Sequence, residues 1–199
     1  MKGYSDIVNH ALAFAAKHHD RQVRQGTRLP YLTHPANVAI ILTRYGCSEP
    51  TVVAGILHDV VQDSVRDGHT AEMLRQRIGE KFGDDVLTTL LLSTYRRTDD
   101  DGVELSPDEK RSDYLQRLGN QNESALWVAA ADNVHNANSI LSDLRRTVDP
   151  NSVWSRFNAG RASTIGWFRE VVARFDEIGF GAPIVDELRQ ATNELETSS

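Results

Sequence analysis

The stretch GILHDVVQDS, residues 55–64, sets an imidazole and two carboxylates beside an amide: His58, Asp59, Gln62 and Asp63. Wound as one helix at about 100° per residue, these four fall within roughly 140° of arc. Val53, Ile56, Leu57, Val60 and Val61 take the opposite arc. One face packs, and the other presents groups able to hold a cation or move a proton. The stretch ALWVAAADNVHNA, 125–137, has the same character: an apolar, alanine-rich run interrupted by Asp132, Asn133, His135 and Asn136. Asp132 and Asn136 are four apart and share a helical face. An ionised aspartate in an apolar run needs a partner, because unpaired burial of charge is costly. A third element is YLTHPANVA, 31–39, where His34 precedes Pro35 at the mouth of a helix. Imidazole and carboxylate ligands drawn from several helices suit a borderline-to-hard divalent ion such as Mn, Fe or Zn. The plain alternative for His58–Asp59 is a core ion pair, and for His34 a histidine bonded to backbone.

The elements that must position these groups read as helices. Apolar residues at helical spacing predict one over about 5–20. An arginine-rich loop follows at 21–31, broken by Gly26 and Pro30. Further helices are expected from Pro35 to before Gly46, from about 50 to 64, and over 70–83, the last stopped by a glycine. The run 84–96 has strand-like composition, but its helical neighbours favour a helix. Ser106, Pro107 and Glu109 form a capping-box pattern that starts a helix over 107–118. Others are expected at about 123–146, 151–178 and 183–195. No stretch alternates as a strand does, so the fold class is all-α. One domain over 1–199 is the expected organisation: a helical bundle with its metal site between helices.

Composition narrows the function. The 199 residues carry a net charge of −6, which disfavours general nucleic-acid binding. Cys47 is the only cysteine, so a reducing compartment is expected. No apolar run is long enough for a signal peptide or a membrane span. The expected location is the cytoplasm, with no membrane or nucleic-acid partner; nothing in the sequence specifies an oligomeric state. Arg21 and Arg28 are expected in a solvated loop, and His18 and His19 as surface or packing residues. His135 is expected to support the site rather than ligate. The aromatic residues of 153–168 are expected in the core.

The words HHDRQVRQGTRLPYLTHPANVA, AGILHDVVQDS and AAADNVHNANSILSDLRR resemble the hydrolase domain of the RelA/SpoT alarmone enzymes, a branch of the HD-domain metal phosphohydrolases. The likeness is greatest to the small stand-alone hydrolases related to the metazoan SpoT homologue, and it covers about residues 8–170. It implies an all-helical, Mn²⁺-dependent enzyme, with Fe, Zn or Mg as other divalent candidates. Such an enzyme removes pyrophosphate from the 3′ position of (p)ppGpp, a small-molecule nucleotide, to give GDP or GTP. Carried over by motif position, the metal ligands are His34, His58, Asp59 and Asp132. Asp63 helps activate water, and Arg24 and Asn136 contact substrate. Three positions depart from the family pattern. Gln62 stands where the family has Glu in HDxxED, Gln25 replaces a basic residue, and Ala129 replaces a lysine. An amide keeps the hydrogen bonds of a carboxyl but takes no proton. Gln62 is therefore expected to position water rather than deprotonate it. These departures leave two alternatives: an HD phosphohydrolase of another nucleotide or phosphoester, or a weakly active alarmone- or metal-binding protein.

Overall fold

The structure, a computed structural model, describes residues 3–63, 70–99 and 101–198, with Asp63 described by its backbone alone. Among the described residues every regular element is helical. The first is α1 (Asp6–His18), started by Ser5, whose hydroxyl accepts from the Val8 N–H. An irregular segment leads to α2 (Thr33–Arg44). α3 (Glu49–Leu57) starts from the Ser48 cap and is followed by the single turn α4 (Val60–Asp63). α5 (Ala71–Phe82) and α6 (Asp84–Ser93) meet at Gly83, whose φ of 92° suits only glycine. α7 (Pro107–Leu118) opens on the expected capping box, with Ser106 and Glu109 each bonding the other's backbone. The 22-residue α8 (Glu123–Leu144) is capped by the Asn122 side chain. α9 (Asn151–Trp154), α10 (Gly160–Glu177) and α11 (Pro183–Thr197) complete the chain.

α8 is the central strut, packing against α2, α3, α6 and α11. Its Ala129, Ala130, Ala131 and Ala137 are fully buried, and their small side chains let neighbouring helices close in. α3 packs on α1, α2, α6 and α8, and every residue from Thr51 to Leu57 is buried. Gly55 sets its spacing to α2: a Cβ there would stand 2.5 Å from Leu42 Cδ1.

Two expected helices are interrupted. The one expected over 50–64 ends at Leu57, and His58 and Asp59 lie in the break before α4. The His58 ring Nδ1 is 2.7 Å from the Gly55 carbonyl, the acceptor an unbroken helix offers to the Asp59 N–H. The one expected over 151–178 is split by turns at 155–159, and the second part starts at Gly160 with φ 70°. The run 84–96 is helical to Ser93.

Candidate metal centre

His34 sits in the first turn of α2, His58 and Asp59 in the α3–α4 break, and Asp132 midway along α8. The packing of α2 and α3 on α8 brings them to one point. Among the described residues, His34, His58 and Asp59 each offer a ligand atom, all within 4.8 Å of one another. His34 Nε2 is 3.3 Å from His58 Nε2 and 3.5 Å from Asp59 Oδ2. His58 Nε2 is 3.2 Å from the same carboxylate oxygen. Asp132 flanks the group, its Oδ1 lying 3.1 Å from His34 Nε2 and 3.8 Å from His58 Nε2.

Both imidazoles are oriented from behind. His58 Nδ1–H donates to the Gly55 carbonyl, which can only accept. His34 Nδ1 lies 2.7 Å from His135 Nδ1, so one ring donates and the other accepts. Burial, then the neighbouring His34 and Arg24, hold His135 down to about 3, a neutral ring able to accept. With His135 accepting, His34 Nδ1 carries a proton, and Nε2 is the nitrogen turned to the cluster. This is the arrangement in which an outer group sets the tautomer of a metal-bound histidine. Asp59 is held by the Tyr31 hydroxyl, which donates to Oδ2 at 2.7 Å.

The electrostatics call for positive charge between the carboxylates. Burial pushes the His58 imidazole down, but Asp59 beside it and then Asp132 overcome this and lift it to about 9. Burial pushes the Asp59 carboxyl up, and the charge and hydrogen bond of His58, then His34 and Tyr31, hold it far below the usual carboxylate range. Asp132 is likewise lowered against burial by His34 and His58. Two imidazole nitrogens whose rear atoms are already bonded, converging with the Asp59 and Asp132 oxygens that Tyr31 and Asn136 hold, are a fit donor set for a divalent cation.

Beside the cluster a hydrogen-bonded chain runs outward. Asn136 Nδ2 donates to Asp132 Oδ1 at 2.7 Å, and Arg24 donates to Asn136 Oδ1 at 2.8 Å. The Arg24 guanidinium lies over the Tyr31 ring, 5.7 Å from its centroid. Arg24, Tyr31 and Asn136 border a cavity of about 280 Å³ with Ile140, Phe157 and Phe168. Phe157 and Phe168, expected in the core, thus also wall a cavity. The Arg24 loop is clamped there: Gln25 donates to the Arg156 carbonyl, and Gly26, at φ 69°, lies against the Arg156 side chain. Gln62 stands apart from this chain and lines a different cavity. The Asp63 side chain lies outside the described residues.

Two residues near the centre escape a reading of the sequence alone. Tyr31 lies inside the YLTHP word, yet its bond to Asp59 spans 28 positions. His19, expected at the surface or in packing, is 3% exposed. Its ring is 4.8 Å from that of Tyr31, and Nδ1 bonds Gln22 Oε1 at 2.6 Å. The i,i+3 spacing of His19 and Gln22 was the available signal. His18 is buried as well. Arg21 and Arg28 are exposed, as expected.

Comparison with known proteins places this geometry. Residues 11–162 match the family model described as HD domain. A GTP pyrophosphokinase of Myxococcus xanthus is 30% identical over 138 residues, 68% of this chain and 17% of that protein. A guanosine-3′,5′-bis(diphosphate) 3′-pyrophosphohydrolase of Aquifex aeolicus is 35% identical over 78 residues, 39% of this chain and 11% of that one. The matches thus span less than a fifth of these relatives' lengths. Among solved structures, a metazoan orthologue of SpoT, described as hydrolysing ppGpp with a role in starvation responses, superposes with a TM-score of 0.73. It is 23% identical and each chain is 96% covered, a likeness of fold. No helix among the described residues is long and apolar enough to cross a membrane.

Proposed function

This chain belongs to the HD domain family, and from that premise we propose that it is a Mn²⁺-dependent 3′-pyrophosphohydrolase of (p)ppGpp, acting in the cytoplasm as one domain over 1–199. The observation that carries the proposal is the meeting of His34, His58 and Asp59 with Asp132, which is itself bonded to the Arg24–Asn136 pair. The names of the relatives supply the substrate.

His34, His58, Asp59 and Asp132 would hold the cation. When bound, it supplies polarisation of a phosphoryl oxygen and acidification of water. The chain's own groups do the rest. Tyr31 and Asn136 hold the two carboxylates in place. Arg24 presents a guanidinium suited to two phosphate oxygens at once. Asp63, by its motif position, takes the proton of the attacking water, and Gln62 orients that water without taking the proton. Water adds to the phosphorus on the ribose 3′-oxygen, the P–O3′ bond breaks, and the 3′-oxygen leaves with a proton. The products are GDP or GTP and pyrophosphate.

The test is incubation of Mn²⁺-loaded protein with ppGpp, followed by anion-exchange chromatography for GDP and pyrophosphate, with Asp59→Ala as blank. Steady product absent from the blank supports the reading. No product from protein shown to carry the metal overturns it. Gln62 motivates a second reading, an alarmone-binding protein with little turnover. It requires tight ppGpp binding, and a kcat raised by Gln62→Glu by up to about the 10²–10⁴-fold that general bases contribute.

A further inference from the structure

A third imidazole, outside the metal cluster, is built like the two within it. His19 lies just past the end of α1 and is 3% exposed. Its Nδ1 is 2.6 Å from Gln22 Oε1, a carbonyl oxygen that can only accept, so Nδ1 carries the proton. Burial lowers the affinity of the ring for a second proton, against the Gln22 bond and the Asp59 charge, and at neutral pH it is uncharged. Nε2 is then bare, and it has no hydrogen-bond partner among the described residues. The ring is oriented through Nδ1, as His58 is by Gly55 and His34 by His135.

Gln22 joins this ring to the loop that carries Tyr31. Its backbone N–H donates to the His19 carbonyl, and its own carbonyl accepts the Tyr31 N–H at 2.9 Å. Between these ends Val23 and Pro30 pair antiparallel, and the Arg24 N–H donates to the Leu29 carbonyl. Gln22 and Tyr31 therefore close the base of a small hairpin. The His19 ring lies against that base, 4.8 Å from the Tyr31 ring between centroids. The Tyr31 hydroxyl, at the far end of its ring from the backbone, donates to Asp59 Oδ2 at 2.7 Å. A small tilt of the ring moves the hydroxyl most.

We infer that His19 is a positioning residue: held by Gln22, its ring fixes the Tyr31 ring, and Tyr31 in turn fixes the Asp59 carboxylate. The inference rests on the proposed function in treating Asp59 as a metal ligand. It extends the site from the cluster to the end of α1. It also gives His19 and Gln22 a role that needs no contact with substrate.

Two measurements test it. The first is Mn²⁺ affinity, read by equilibrium dialysis with metal analysis. His19→Leu removes both ring and donor, whereas His19→Asn, of nearly the same size as leucine, returns an N–H at the atom bonded to Cγ, where Nδ1 stands. His19→Leu should weaken Mn²⁺ by about tenfold, the low end for an outer partner, and His19→Asn should recover part of that loss. In a Tyr31→Phe background, which lacks the hydroxyl on Asp59, His19→Leu should cost nothing further. Effects that do not pass through Tyr31 add. A loss that adds in full to that of Tyr31→Phe, equal losses in His19→Leu and His19→Asn, or no loss at all overturns the inference.

The second measurement needs no metal. His58 Nε2 lies 3.2 Å from Asp59 Oδ2, so its ring-nitrogen NMR resonance in metal-free protein at fixed pH reports where that carboxylate stands. His19→Leu should shift this resonance in the wild-type chain and leave it unmoved in the Tyr31→Phe chain. No shift in the first, or an equal shift in both, overturns the inference. Should His19→Leu not fold, Gln22→Ala, which removes the same hydrogen bond from a half-buried position, replaces it in both measurements. If the wild-type protein binds no Mn²⁺ or turns over no ppGpp, the proposed function fails, and the His58 resonance still decides the inference.

Discussion

The two helical regions that bring a carboxylate to the cluster do so in opposite ways. Between α3 and α4 the helix is interrupted, and His58 and Asp59 occupy the interruption. α8 carries Asp132, His135 and Asn136 through 22 residues without a break. The difference lies in what the polar side chains bond. His58 turns its ring back onto the Gly55 carbonyl. On α8, Asn136 donates to the Asp132 carboxylate one turn before it. Asn133 and Asn138 donate to the Ala129 and Val134 carbonyls, whose second lone pair remains for the helix. Consecutive residues on a straight helix point about 100° apart and do not face each other. Adjacent His58 and Asp59 nevertheless place Nε2 and Oδ2 3.2 Å apart. The break lets two neighbours in the chain aim at one point, whereas α8 achieves the same with residues a turn apart and needs no break.

This contrast can be tested from its strongest consequence downward. Asp59→Ala should reduce Mn²⁺ affinity by more than about 100-fold, beyond the range for loss of an outer partner, as read by metal analysis of dialysed protein. Asp132→Ala should do the same if α8 ligates as α3–α4 does. Full metal retention in Asp132→Ala would mean that α8 only orients the site. His135→Phe removes the acceptor behind His34 and should weaken the metal by about 10–100-fold; unchanged affinity would show that the His34 tautomer is set elsewhere. The smallest effect concerns the helix leading into the break. Gly55→Ala adds a methyl against Leu42, a cost of about 1–3 kcal/mol for overpacking, offset by about 1 kcal/mol of helix propensity. A net loss of about 1 kcal/mol in urea unfolding is expected, and a gain in stability would show that α2 and α3 are free to separate.

Residues that act within one turn were legible in advance. The Ser106–Glu109 capping box formed as its spacing indicates, and Asp132 and Asn136 pair across i,i+4. The break at His58 was not legible, because a helical period continues through it in the apolar residues. For His19 the sequence left surface and packing both open, and its burial in the fold decides for packing. The separation of Gln62 from the Arg24–Asn136 chain was also hidden: both lie in motif words, yet they line different cavities.

Sequence alone determined the all-helical class, most helix starts and stops, and which imidazoles and carboxylates stand ready on which helix. These follow from local rules of period, capping and glycine, which act over one to two turns. Tertiary packing decided that Arg24 reaches Asn136 across 112 positions, that His34 meets His135 across 101, and that Tyr31 holds Asp59. It also decided that Arg75 shares a cavity with Gln62. The angle and spacing at which helices cross depend on how their surfaces interlock. A one-dimensional pattern names the faces that will meet, and only their packing sets which atoms arrive within bonding distance.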